Sequence, residues 1–155
     1  MAWGDYMKCS AITFRISSDE RFAKLVNVFE ALREAEKGGN SPAPDDAYWR
    51  QFFDEGALAH FWWPTPEELA DWERRWFSTP VARRWIDPSL QTPWAFDSMI
   101  EAFYNGEYEL LSCERVSDSE GRLTFDPQAW PFGGTGCMKA LVEAFDCEVT
   151  GEQNT

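Results

Sequence analysis

The chain has 155 residues, a net charge of −13 and nine tryptophans. A chain of that length supports one domain with a core of its own. The charge disfavours DNA and anionic membrane surfaces, which attract Lys and Arg, and it favours a basic protein partner drawn by long-range attraction. Acidity also keeps a protein soluble, without any partner. The charge is uneven: residues 1–40 hold six basic and six acidic side chains, 41–105 five and eleven, and 106–155 three and ten.

Cys9, Cys113, Cys137 and Cys147 form no C-x-x-C pair, and His60 is the only histidine. Zinc-finger spacing is therefore absent, and no metal or cofactor is expected. Residues 1–14 lack the continuous apolar stretch of a signal peptide, and no apolar run approaches a membrane span. These features give the expectation of a cytoplasmic protein with its cysteines reduced and buried. Met7 offers an alternative start to Met1.

The first element is a strand over 8–16, where Ile12, Phe14 and Ile16 alternate with Thr13 and Arg15. Ser17 and Glu20 have the spacing of a capping box. The helix that follows to about residue 37 carries one apolar stripe of Phe22, Leu25, Val26, Phe29 and Leu32. Gly38 and Gly39 end it.

After a loop over 40–46, Asp45 or Asp46 caps a helix with an aromatic face of Tyr48, Trp49, Phe52 and Phe53. Residues 57–63 fit a short helix or an extended piece, and Pro64 stops it. Thr65-Pro66-Glu67-Glu68 is the clearest local signal: a Thr cap, Pro at the first helical position and Glu closing the box. Leu69, Trp72 and Trp76 follow at core spacing in a helix to about residue 77. Ser78-Thr79-Pro80 restarts a short helix to about residue 85, and 87–93 is irregular. A helix over 96–104 has Phe96, Met99, Ile100 and Phe103 as its buried stripe, with Gly106 as its stop.

Residues 107–116 and 122–125 read as hairpin strands around a turn at 118–121. Thr135 caps a last helix with Met138, Leu141, Val142 and Phe145 turned inward. A short strand over 147–150 and a frayed tail over 151–155 complete the chain. This is an α+β order. Without residues 40–104 it resembles the β-α-β-β-α-β order of the ferredoxin-like fold, with a Trp-rich helical insertion between the first helix and the second strand. That segment order implies no activity.

No catalytic residue set emerges. A histidine side chain can serve as a general base near neutral pH, yet no Ser, Cys or carboxylate stands at a motif spacing from His60, and packing among aromatics is the simpler role. Phe132, Gly133, Gly134 and Thr135 precede the last helix, where glycines can offer N–H groups to an anion. They lack the Walker Lys, and a turn with a Thr cap explains them. Adjacent acids such as Asp45-Asp46, Asp54-Glu55 and Glu67-Glu68 are caps or solvated helix faces. Arg74-Arg75 and Arg83-Arg84 are basic doublets, and Asp71 and Arg75 have the spacing of an internal ion pair.

Core periodicity accounts for Trp49, Trp72 and Trp76. It does not account for Trp62, Trp63, Trp94 and Trp130, which sit beside prolines or in loops. Such residues suit a protein interface or a small-molecule cleft between sheet and insertion. The leading expectation is a non-enzymatic acidic domain that binds a basic protein, as an inhibitor or immunity-type protein does. The alternative is a ligand-binding domain or enzyme with a cleft lined by His60, Trp62, Trp63, Trp130 and the glycine turn. Oligomeric state stays open.

Overall fold

The computed structural model describes residues 10–38, 45–105, 108–127 and 135–153. Strand β1 (Ser10–Arg15) leads into helix α1 (Asp19–Gly38). Next come α2 (Asp46–Arg50), α3 (Glu55–Leu58) and α4 (Pro66–Ser78), then two 3-10 turns at Val81–Arg83 and Pro88–Leu90. Helix α5 (Phe96–Asn105), strands β2 (Tyr108–Arg115) and β3 (Glu120–Pro127), helix α6 (Gly136–Ala144) and strand β4 (Glu148–Gln153) complete the fold. The protein is α+β, with one four-stranded sheet in the order β2-β3-β1-β4 and antiparallel pairing throughout.

Period-2 alternation decides which side of the sheet is buried. Ile12 and Phe14 of β1 share the inner face with Leu123 and Phe125 of β3. A register shift between Leu110 and Ser112 lets both Leu110 and Cys113 of β2 point inward, although they are an odd number of residues apart. Helix α1 packs Leu25, Val28, Phe29 and Leu32 into this core, and α6 packs Met138, Leu141, Val142 and Phe145. On the outer face, Arg15, Glu114 and Arg122 are exposed.

The insertion divides into two parts. Trp49, Phe53, Ala57, Phe61, Phe96, Met99, Ile100 and Phe103 belong to the same buried cluster as the sheet residues. Helix α4 buries none of its residues. Trp72 and Trp76, placed in the core by their spacing, are only half-buried, and Leu69 is exposed. Their stripe rests on other aromatics of the insertion rather than on the sheet.

Several boundaries differ from the sequence pattern. Helix α1 is capped by Ser18, whose Oγ accepts from the Arg21 N–H, so no Ser17–Glu20 box forms. The expected helix after residue 46 breaks in two, because Asp54 serves as a second cap and accepts from the Ala57 N–H at 2.8 Å. The box at Thr65 and Glu68 forms as its sequence dictates, with both bonds at 3.1 Å. Thr135 does not cap α6 with its side chain; its hydroxyl donates to Glu152 Oε1 at 2.7 Å. Residues 151–153 are not a frayed tail. They continue β4 along β1, because backbone pairing requires no apolar pattern on an edge strand.

Gly121 pairs with Phe14 across β1 and β3 and leaves room for its ring. A Cβ at this position would stand 2.5 Å from Phe14 Cε2 and 2.6 Å from Cζ. The ring is itself fully buried, so it has little space to yield. Gly121→Ala is expected to cost about 1–3 kcal/mol, measured as a lower urea midpoint with an unchanged slope.

Candidate functional site

A charged cluster fastens the insertion to the framework. Arg21 on α1 donates through Nη1 to Asp54, through Nη2 to the Ala144 carbonyl at 3.2 Å, and its Nε lies 3.2 Å from Asp146 Oδ2. Its guanidinium also lies 5.2 Å from the centre of the Phe145 ring. Lys24, one helical turn later, donates to Asp54 at 2.9 Å. Three separate stretches of chain therefore meet at one arginine: α1, the start of α3 and the end of α6.

Asp146 completes the cluster through an unusual backbone. Its φ is +60°, the left-handed conformation in which helices often terminate. The Asp146 N–H bonds to the Glu143 carbonyl at 3.0 Å, and the Cys147 N–H to the Val142 carbonyl at 3.4 Å. These two bonds define a Schellman motif. Glycine usually occupies the position, but Asp tolerates it. The side chain gained there reaches both Arg21 and His60, whose Nε2 lies 3.1 Å from Asp146 Oδ1.

Beside this cluster lies a cleft of about 270 Å³. His60, Phe61 and Trp94 of the insertion form one wall, and Gly136, Lys139 and Glu143 of α6 form the other. Gly136 is required for that closeness: a Cβ there would lie 2.9 Å from Trp94 Cζ2. The Trp62 N–H bonds to the Trp94 carbonyl at 2.8 Å, which ties the strand-like pieces on either side of α4 together. Lys139 is drawn to Glu152 at 2.7 Å, the carboxylate that also accepts from Thr135.

A second feature stands away from the core. Trp62, Trp72, Trp76 and Trp85 make a chain of ring contacts with centroid separations of 5.8, 5.1 and 4.9 Å. It leads outward to Phe77, Val81, Trp85 and Ile86, which are 72, 68, 75 and 75% exposed. Arg84 Nε donates to the Trp76 and Thr79 carbonyls at 2.9 and 3.1 Å and fixes the turn under this crest. Trp72 Nε1 donates to the Leu90 carbonyl at 2.9 Å, and Arg75 to the Ser89 carbonyl at 3.1 Å.

The residues singled out by the sequence thus disperse. His60 and Trp94 converge on the cleft, with Thr135 beside Gly136 behind it. Trp62 turns to Trp72. Trp63 stacks on Phe96 at 5.5 Å, donates to the Leu58 carbonyl and lies under Arg50. Trp130, Phe132, Gly133 and Gly134 lie outside the described residues. Sequence spacing gave no warning of Asp146 in the charged cluster, of Lys139 or Glu143 at the cleft, nor of the crest.

Among the described residues, no group of three or more His, Cys, Asp or Glu gathers in a metal-holding arrangement, and no helix is long and apolar enough to cross a membrane. Cys113, Cys137 and Cys147 are buried free thiols, and burial pushes the Cys113 thiol up to about 12, which keeps it protonated and unreactive. Comparison with protein-family models, with curated proteins and with solved structures finds no match to this chain.

Two outcomes follow from the cluster. The Lys24 ammonium, the Ala57 N–H and Arg21 hold the Asp54 carboxyl well below the usual carboxylate range. The folded state therefore binds that proton more weakly than the unfolded chain does, whose value is about 3.9. The stability so gained is present above about pH 4 and drains as pH falls through the folded value. Asp54→Asn is expected to flatten this acid limb in urea titrations between neutral and acid pH. Arg21→Ala leaves two carboxylates without their shared cation and is expected to cost about 2–3 kcal/mol in the same assay at pH 7.

Proposed function

We propose that this chain is a non-enzymatic protein-binding domain that docks its partner on the crest of Phe77, Val81, Trp85 and Ile86. The observation that carries this reading is the exposure of those four apolar side chains on a rigid mount. Fully burying each is worth roughly 1.5–3 kcal/mol, which a free surface forgoes. Exposed clusters of this kind are characteristic of interaction sites, and Trp is enriched among hot-spot residues. The hydrogen bonds from Trp72, Arg75 and Arg84 hold the crest in place before binding, which lowers the ordering cost of association.

The charge supports a division of labour. The net −13 attracts a basic partner from a distance. The crest segment itself, residues 73–87, carries Arg74, Arg75, Arg83 and Arg84 against only Glu73 and Asp87. Steering would come from the whole acidic surface, and holding from apolar contact at the crest. An inhibitor or immunity-type role in the cytoplasm, against a basic protein, is the concrete form of this reading. The framework beneath it is read as ferredoxin-like, with the insertion between α1 and β2. The sheet order β2-β3-β1-β4, in which each helical connection passes over a neighbouring strand, supports that reading.

The test compares the wild-type chain with the double variant Trp85→Ser/Ile86→Ser as immobilised bait in lysate of the source cells. The variant is expected to keep its stability within about 0.5 kcal/mol and to lose the partner at least about tenfold. Raising salt should slow capture by screening the steering, without releasing bound partner. Retention of every captured protein by the variant overturns the reading. Sedimentation distinguishes one further occupant: a dimer abolished by the same variant would mean that a second copy covers the crest.

A further inference from the structure

We propose that the cleft between the insertion and α6 binds a small organic cation, an alkyl- or arylalkyl-ammonium, with its apolar part on Trp94 and its charge against Glu143. The site is separate from the crest and belongs to a different part of the insertion.

The charge balance around the cleft carries the inference. Lys139 and Glu143 stand at i and i+4 on α6, the spacing at which such residues normally pair. Here Lys139 is taken by Glu152 at 2.7 Å instead. Glu152 is held in place for that task by the Thr135 hydroxyl, the same bond that leaves α6 without a side-chain cap. Lys139 is thereby neutralised from behind. Likewise Asp146 is matched by Arg21 at 3.2 Å and Asp54 by Arg21 and Lys24. Glu143 alone among the charged groups lining the cleft makes no ion pair with a described residue.

The remaining lining suits the rest of such a ligand. Trp94 offers an indole face on which the apolar part of such a ligand packs. Gly136 allows the ring to sit against the start of α6, which fixes the wall. His60, on the same wall as Trp94, is oriented by Asp146, so that wall is preformed. A volume of about 270 Å³ falls just below the ~300–1,000 Å³ of drug-sized pockets, which limits the occupant to a small molecule or one side chain. The −13 field of the whole protein concentrates cations at its surface and repels anions of the same shape. Free amines and the lysine side chain of a protein share this chemistry.

Isothermal titration with phenethylamine tests the proposal, with phenylacetate and phenethyl alcohol as the anionic and neutral counterparts. Phenethylamine is expected to bind saturably and at least about tenfold more tightly than either. The signal of the Trp94 indole N–H, assigned by its loss in Trp94→Phe, should shift on titration in NMR spectra. Glu143→Gln, at an exposed position, should keep the melting temperature and weaken binding about tenfold. Lys139→Met should leave binding equal or tighter, because it removes a cation. Nα-acetyl-lysine amide distinguishes the sources: tighter binding than phenethylamine points to a protein lysine, weaker to a free amine. The crest variant Trp85→Ser/Ile86→Ser should bind phenethylamine normally, so failure of one site is not read as failure of the other. Equal or tighter binding of phenylacetate, no saturation by phenethylamine at millimolar concentration, or unchanged affinity in folded Glu143→Gln overturns the proposal.

Discussion

Phe53 sits where the helical insertion and the sheet framework become one core. Its ring lies 5.9 Å from Phe61, 5.0 Å from Phe96 and 5.5 Å from Phe145. The first two neighbours belong to the insertion and the third to the end of α6. Edge-on contacts with Phe61 and Phe96 satisfy the ring quadrupoles while excluding water. The insertion therefore fills volume that α1, α6 and the sheet leave open. Arg21 closes the rim of this contact. It binds the start of α3 and the turn after α6 at once, in a place too dry for an arginine without partners.

That anchoring has a consequence for the outer half of the insertion. Helix α4 and the two 3-10 turns place no residue in the main core; their one buried side chain, Leu90, lies outside that cluster. A capping box, the bonds from Trp72 and Arg84, and the stacked tryptophans hold them. The last members of that stack end in water. The same residue type thus has two fates within one insertion. Trp49 is fully buried against the core, and Trp85 is three-quarters exposed. The difference lies in what stands opposite each ring, not in the ring.

Electrostatics works on two length scales. At long range the molecule is an anion, which sets what approaches it. At contact range the acids are mostly committed. Asp45, Asp54 and Asp87 cap helical turns, Glu68 closes a box, Asp71 pairs with Arg74 and Arg75, and Glu152 holds Lys139. Burial raises the proton affinity of Glu36, which accepts from the Leu110 N–H and joins α1 to β2. A net charge therefore overstates the free carboxylates at any one place. Among the described residues Glu143 makes no ion pair, whereas Lys139 and His60 beside it in the cleft each have a carboxylate partner.

The sequence by itself determined the elements whose signals are local. The stripe of Leu25, Phe29 and Leu32, that of Phe96, Met99, Ile100 and Phe103, and that of Met138, Leu141 and Val142 are buried as helical periodicity requires. The Thr65 box formed because both its bonds lie within four residues. Tertiary structure alone decided the rest. Thr135 has the spacing of a cap, yet its hydroxyl goes to Glu152, seventeen residues on. His60 has no motif neighbour, yet it meets Asp146, eighty-six residues away. Trp76 has core spacing but no core beside it. Caps and periodic stripes are short-range energies written into adjacent residues. Burial, ion pairing and cleft lining depend on which surfaces pack against one another, and that is settled only when distant segments compete for the same space.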